Sequence, residues 1–163
     1  MSVFAGLNCV IFLLVVSVSP GISQFKRNVN AVIIENDSLN DLELLNKYAG
    51  LIRKSGFDIC RMDSASRLLT TNSYFIENRP LLVYYRLNVD GPFALLRAYF
   101  MDFSKYSYSP DRHQQPMKWN RISFRSIQGK AWHACFKNMV VFSESLRSGV
   151  HGKAIWLEET DHE

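Results

Sequence analysis

The side chains of this sequence that could do chemistry are few and dispersed. Four histidines, His113, His133, His151 and His162, stand apart, with no pair at the short spacing of metal ligands. Only His133 has a reactive neighbour, since on a strand it shares a face with Cys135 two residues later. A cysteine beside histidine is the pattern of a nucleophile with its base. Cys135 has a competing use, however, as the disulfide partner of Cys60. Glu158 and Glu159 are adjacent carboxylates, and neighbours on a strand point to opposite faces, so they cannot jointly flank a glycosidic bond. A Gly-rich phosphate loop and a serine nucleophile elbow are both missing from the sequence. The expectation is a protein that is not an enzyme, with no catalytic residue, no cofactor and no metal.

Aromatic residues are the stronger signal. Tyr99, Phe100, Phe103, Tyr106 and Tyr108 crowd together with Lys105 and Arg112. Tyrosine brings contact area at low entropic cost, and arginine adds directional hydrogen bonds, so both suit recognition surfaces. Tyr99, Phe103, Tyr106, Tyr108, Lys105 and Arg112 are therefore the candidate partner-binding residues, with an extracellular protein or glycan as the partner. The competing use of the same rings is core packing and loop anchoring.

An extracellular setting follows from the N-terminus. Val10 to Val18 is almost unbroken apolar sequence, and no charged side chain precedes Lys26. A bilayer crossing takes about 20 apolar residues, so the run has the length of a signal-peptide core, with Gly21 and Ser23 as the small residues before a cut. Residues 1–23 are expected to be a signal peptide and 24–163 a single secreted β-rich domain with no membrane span. Cys9 leaves with the signal, and Cys60 and Cys135 remain to form one disulfide in an oxidising compartment. Asn36-Asp37-Ser38 is a sequon, which makes Asn36 a candidate glycosylation site. The net charge of +4 is spread out with no basic run, so nucleic acid is not an expected partner.

These residues need elements to position them. Ala31-Val32-Ile33-Ile34 reads as a first strand. Ser38 and Asp41 have capping-box spacing, and Leu39, Leu42, Leu45, Ala49 and Ile52 form an apolar stripe. With Arg53 and Lys54 in the last turn and Gly56 beyond, a helix is expected from Leu39 to Lys54. Leu81, Val83, Tyr85, Leu87 and Val89 then alternate along a strand, and Asp90-Gly91-Pro92 turns the chain into a second strand ending near Phe103. A loop is expected over 104–117 and strands over 119–127, 131–142 and 153–158, with 143–152 as a loop. The last strand, apolar on both faces, is expected to be covered on two sides. Regular strands parted by turns favour an antiparallel β-sandwich or barrel.

The order Leu81-Leu82-Val83-Tyr84-Tyr85, a turn at Gly91, Leu95-Leu96-Arg97-Ala98-Tyr99, Lys118-Trp119, Phe136-Lys137-Asn138-Met139-Val140 and Gly152-Lys153-Ala154-Ile155-Trp156-Leu157-Glu158-Glu159 resembles the MAM domain, an extracellular jelly-roll adhesion module. Ile34-Glu35 stands where that family has its opening Phe-Glu pair. The likeness runs from Leu81 to Glu159. It lacks the family's cysteine ahead of the first of these strands, and Glu158-Glu159 replaces an Asp-Asp pair. The resemblance implies noncatalytic adhesion or recognition.

Together these features predict a mainly β fold, an antiparallel β-sandwich of jelly-roll type with one N-terminal helix at Leu39–Lys54. The expected role is a secreted, noncatalytic recognition or adhesion module. The alternative is a secreted carrier of a small apolar ligand, built as a lipocalin-like or lipid-recognition β-barrel.

Overall fold

The computed structural model describes residues 28–36, 39–76, 79–103, 118–124 and 130–159. Its elements run β1 (Ala31–Glu35), α1 (Asp41–Lys54), β2 (Ile59–Asp63), β3 (Leu68–Thr71), β4 (Tyr74–Phe75), β5 (Leu81–Asp90), β6 (Phe93–Asp102), β7 (Asn120–Arg121), α2 (Lys130–Val150) and β8 (Lys153–Leu157). All the strand pairings are antiparallel. The fold is therefore mainly β with a helix near the N-terminus, as the sequence indicates. The strands form one open sheet in the order β2-β3-β5-β6-β1-β8, with β4 on β5 and β7 on β6.

The hairpin β5–β6 is the spine of this sheet, and its sequence explains it. Asp90 faces Phe93 across a two-residue turn, Gly91-Pro92. Gly91 takes φ +56°, and proline holds a negative φ, the combination a II′ turn requires. Along β5 the expected alternation holds: Leu81, Val83, Tyr85, Leu87 and Val89 are all buried. On β6 their companions are Ala94, Leu96, Ala98 and Phe100.

Helix α1 begins two residues later than the sequence suggests. Asn40, not Ser38, is the N-cap: its side chain accepts the Glu43 N–H at 3.0 Å while Glu43 accepts the Asn40 N–H. The C-terminal prediction holds. Gly56 adopts φ +83°, its N–H donates to Arg53 O, and the Phe57 N–H donates to Ile52 O, the paired bonds of a Schellman motif.

The main correction is α2. Residues expected to form a strand over 131–142 and a loop over 143–152 are one helix, so the single helix of the sequence reading becomes two. The run Met139-Val140-Val141-Phe142 suggests a buried strand, but a short apolar run fits either period. Cys135, Met139, Phe142, Leu146 and Val150 are buried at intervals of three and four, whereas Val141 is 62% exposed. That is a helical stripe. The second layer facing the sheet is consequently made by α1 and α2, which share a core with β1, β5 and β6. The helices approach closely at Gly149, where a Cβ would meet the Leu51 side chain at 2.4 Å. At Gly152 a Cβ would meet the Glu35 carbonyl oxygen at 2.4 Å, so only glycine lets α2 turn back into β8.

Strand β8 also departs from expectation. It forms one edge of the sheet beside β1, with Ala154 and Trp156 packed on the core and Ile155 45% exposed. Among the described residues it is covered on one side only. Between Gly56 and Pro80, where the sequence reading assigned no individual elements, the chain forms β2, β3 and β4.

Candidate functional site

The helices cover one face of the sheet, and the side chains of the opposite face form the candidate binding surface. Register determines its composition. Tyr84 on β5 lies opposite Tyr99 on β6, and Arg86 lies opposite Arg97 one step along. Tyr99 in turn faces Arg121 of β7. The Tyr84 and Tyr99 rings stack 4.9 Å apart at 10°, and Trp119 stands edge-on to Tyr84 at 4.7 Å and 87°. Burial and the neighbouring Tyr99 phenol raise the Tyr84 hydroxyl pKa, partly offset by the Arg86 charge.

Beside this aromatic cluster lies a carboxylate held by two guanidiniums. Arg97 Nε donates to Glu159 at 2.9 Å, its Nη2 donates to the other carboxylate oxygen, and Arg121 donates to Glu159 as well. The backbone fixes that carboxylate. Asn30 Nδ2 donates to Glu159 O at 2.8 Å and Asn30 Oδ1 accepts the Glu159 N–H at 2.8 Å, so the side-chain amide imitates a strand partner. Burial alone would raise the Glu159 pKa, but the hydrogen bonds and charges of the two arginines outweigh it and hold the carboxyl below its ordinary 4.5. Arg86 is exposed and has no ion-pair partner among the described residues.

Toward the β5–β6 turn the same face opens into a groove of about 620 Å³. Ile33, Phe93 and Leu95 give it an apolar floor, and Arg67, Asn88 and Arg97 line its sides. Arg67 is held by Asp41 at 2.6 Å and Asp90 at 3.5 Å. On this face Asp63 caps the β2–β3 turn. Its hydrogen bonds with Ser66, assisted by Arg61 and the Ala65 N–H, hold its pKa down at about 2.

Of the residues the sequence singled out, Tyr99 belongs to this surface. Phe103 packs on the 65% exposed Phe75 with ring centroids 5.9 Å apart, and Phe75 faces Leu82, two residues before Tyr84 on the same face. Tyr106, Tyr108, Lys105 and Arg112 lie outside the described residues, as do the signal segment and His113. Tyr84, Arg86, Arg97, Trp119, Arg121 and Glu159 were not picked out as a group. Alternation along β5 places Tyr84 and Arg86 away from the core, but only the cross-strand register shows which side chains they meet.

Burial bears on more of the residues that the sequence singles out. Cys60 and Cys135 are not joined. Cys60 is exposed on edge strand β2 and its thiol points to the Thr71 carbonyl at 3.4 Å, while Cys135 is sealed in the core on α2. Burial pushes the Cys135 thiol up to about 12, with the Asp102 charge adding to it. His133 does not serve as its base, because two residues on a helix are not on one face, and His133 is exposed where Cys135 is buried. Asn36 is 6% exposed and its Nδ2, the atom a glycan would occupy, donates to Val150 O at the end of α2. In the folded domain this amide caps a helix.

Among the described residues no helix is long and apolar enough to cross a membrane, and no three His, Cys, Asp or Glu side chains gather as a metal site. No known family matches the chain, and neither does any curated protein sequence. Among solved structures it is similar to a TBP-like protein from Parabacteroides distasonis ATCC 8503, with 13% identity over 80% of this chain and 96% of that one. The TM-score is 0.43.

Proposed function

We propose that this protein is a secreted, noncatalytic recognition module that binds an extracellular partner through the face of its sheet opposite α1 and α2. The observation that carries the reading is the Tyr84–Tyr99–Trp119 cluster beside Arg86, Arg97 and Arg121. Aromatic rings and arginines dominate binding energy where they sit together on an accessible surface. The apolar run at Val10–Val18 supports passage through the secretory pathway, with the working chain starting at Gln24. An adhesion role of the kind the MAM resemblance implies is compatible with such a surface, but the reading rests on the surface and not on the resemblance.

The carrier alternative has less in its favour. The Tyr85 and Phe142 rings stack at 4.0 Å, Phe57 packs on Phe142 at 4.9 Å, and Tyr74 packs on Phe57 at 4.7 Å. These rings occupy the layer between sheet and helices where a carrier would need space for its cargo.

The test is expression of the full chain through a eukaryotic secretory pathway, N-terminal sequencing of the medium fraction, and binding to an array of extracellular glycans and matrix proteins. A mature start at Gln24 is expected, with a binding signal lost in Tyr99→Ala and Trp119→Ala and kept in Val141→Ser on the helical face. Retention of the protein in the cytosol would overturn the secreted reading. Binding that survives both aromatic substitutions would overturn the surface.

A further inference from the structure

We infer that the outer face is an anion-binding site for a carboxylate-bearing glycan, and that Glu159 is its built-in competitor. This deepens the recognition reading and rests on it. Three arginines, Arg86, Arg97 and Arg121, share this face, and Glu159 joins the guanidiniums of the last two. Arg86 and Arg97 are directly opposed across β5 and β6. Like charges in that position destabilise a sheet, a cost that an anion seated between them removes. Glu159 supplies that anion for Arg97 and Arg121 and leaves Arg86 exposed, with no ion pair among the described residues.

The geometry shows what the arginines accept. Arg97 engages both carboxylate oxygens, the two-pronged contact that guanidinium makes with planar carboxylates. Next to it, Tyr84, Tyr99 and Trp119 present ring surfaces and edges of the kind that pack against the C–H faces of sugar rings. A uronic-acid sugar carries both features within one residue.

An acidic peptide is the competing occupant, and the backbone argues against it. Extended peptides are commonly bound by adding a strand to a free edge. Here β5 and β6 are interior strands, paired with each other along their whole length and flanked by β3, β4, β1 and β7. Over β5 and β6, where Tyr84, Arg86, Arg97 and Tyr99 stand, binding comes from side chains, which suits a saccharide.

Glu159 closes the site in its own absence of ligand. Its main-chain atoms stay bonded to Asn30, so the carboxylate can swing aside while the strand end remains docked. An incoming uronate exchanges for it on Arg97 and Arg121 and gains Arg86.

The probe is a hyaluronan octasaccharide titrated into the full chain, beside a neutral chitin octasaccharide and polyglutamate. Hyaluronan is expected to bind, and Glu159→Gln to bind it about fivefold more tightly, the gain from removing a partly exposed ion pair. Arg86→Gln should weaken binding about threefold to fivefold, and Lys137→Gln on α2 should change nothing. Arg86 is exposed, so its substitution carries the test even if Glu159→Gln loosens the strand end. The inference is overturned if the neutral sugar binds as tightly, if polyglutamate binds more tightly than hyaluronan, if Arg86→Gln has no effect, or if neither the native chain nor Glu159→Gln binds hyaluronan. In each case a Tyr99-dependent signal on the wider array would leave the recognition reading standing.

Discussion

The two faces of the sheet solve opposite problems with similar residues. On the inner face, rings and aliphatic chains from β1, β5 and β6 are sealed against α1 and α2, and the Tyr85 hydroxyl is paired with that of Tyr74 at 2.7 Å. Burial, with added effects from Tyr74, drives the Tyr85 pKa well above its ordinary value, and burial raises Tyr74 to about 12, so neither ionises near neutrality. On the outer face, tyrosines, a tryptophan and arginines stand half-buried or exposed, joined by one carboxylate. The same strands carry both sets on alternate residues. Stability therefore resides on one side of β5 and β6, and the groups able to bind on the other.

Substitution should separate the two sides by size of effect. Phe142→Ala removes the ring stacked on Tyr85 and should cost about 3–5 kcal/mol of stability by denaturant unfolding. A loss near that of a surface site would break the comparison, because it would mean the inner layer is not tightly packed. Asn36→Ala deletes the amide that caps α2 and should cost about 1–3 kcal/mol, measured the same way.

Acid should act on the outer face first. Glu159 has a folded-state pKa held below 4.5, so its stabilising contribution is present above 4.5 and is lost as pH falls through the depressed value. Glu159→Gln should flatten this acid limb by about 1 kcal/mol or less, given the exposure of the pair, in thermal unfolding followed between pH 6 and pH 3. An unchanged limb would show that the carboxylate is not held by Arg97 and Arg121 in solution. The smallest effect belongs to Cys60→Ser, expected to be within about 0.5 kcal/mol of the parent chain. In the native chain the exposed Cys60 should react with a thiol reagent at once, and Cys135 only on unfolding. Equal reactivity would contradict the burial that distinguishes the two.

Much of the architecture could be read from the chain because it is local. The capped helix α1, the hairpin turn at Gly91 and the alternation of β5 each depend on residues a few positions apart, where side-chain caps, positive φ and side-chain period leave a direct trace. The α2 segment reads as a strand because an apolar run of four obscures a helical stripe visible only when Cys135, Leu146 and Val150 are included. The site was legible in part. Tyr99 and the outward alternation of Tyr84 and Arg86 are in the sequence, but Glu159 and Arg97 are 62 residues apart.

By itself, then, the sequence determined the antiparallel β character, the N-terminal helix and the aromatic weighting of the chain. These follow from propensity, periodicity and turn chemistry over short range. Tertiary structure alone decided which aromatics are buried, that Cys60 and Cys135 stay apart, that Asn36 caps a helix, and that Arg97 and Arg121 meet Glu159 on the face that carries Arg86. The physical reason is register: a one-residue shift between strands sends every side chain to the other face. That register is set by β5 pairing with β6 and by α2 covering one side of them, long-range facts that no short window of residues contains.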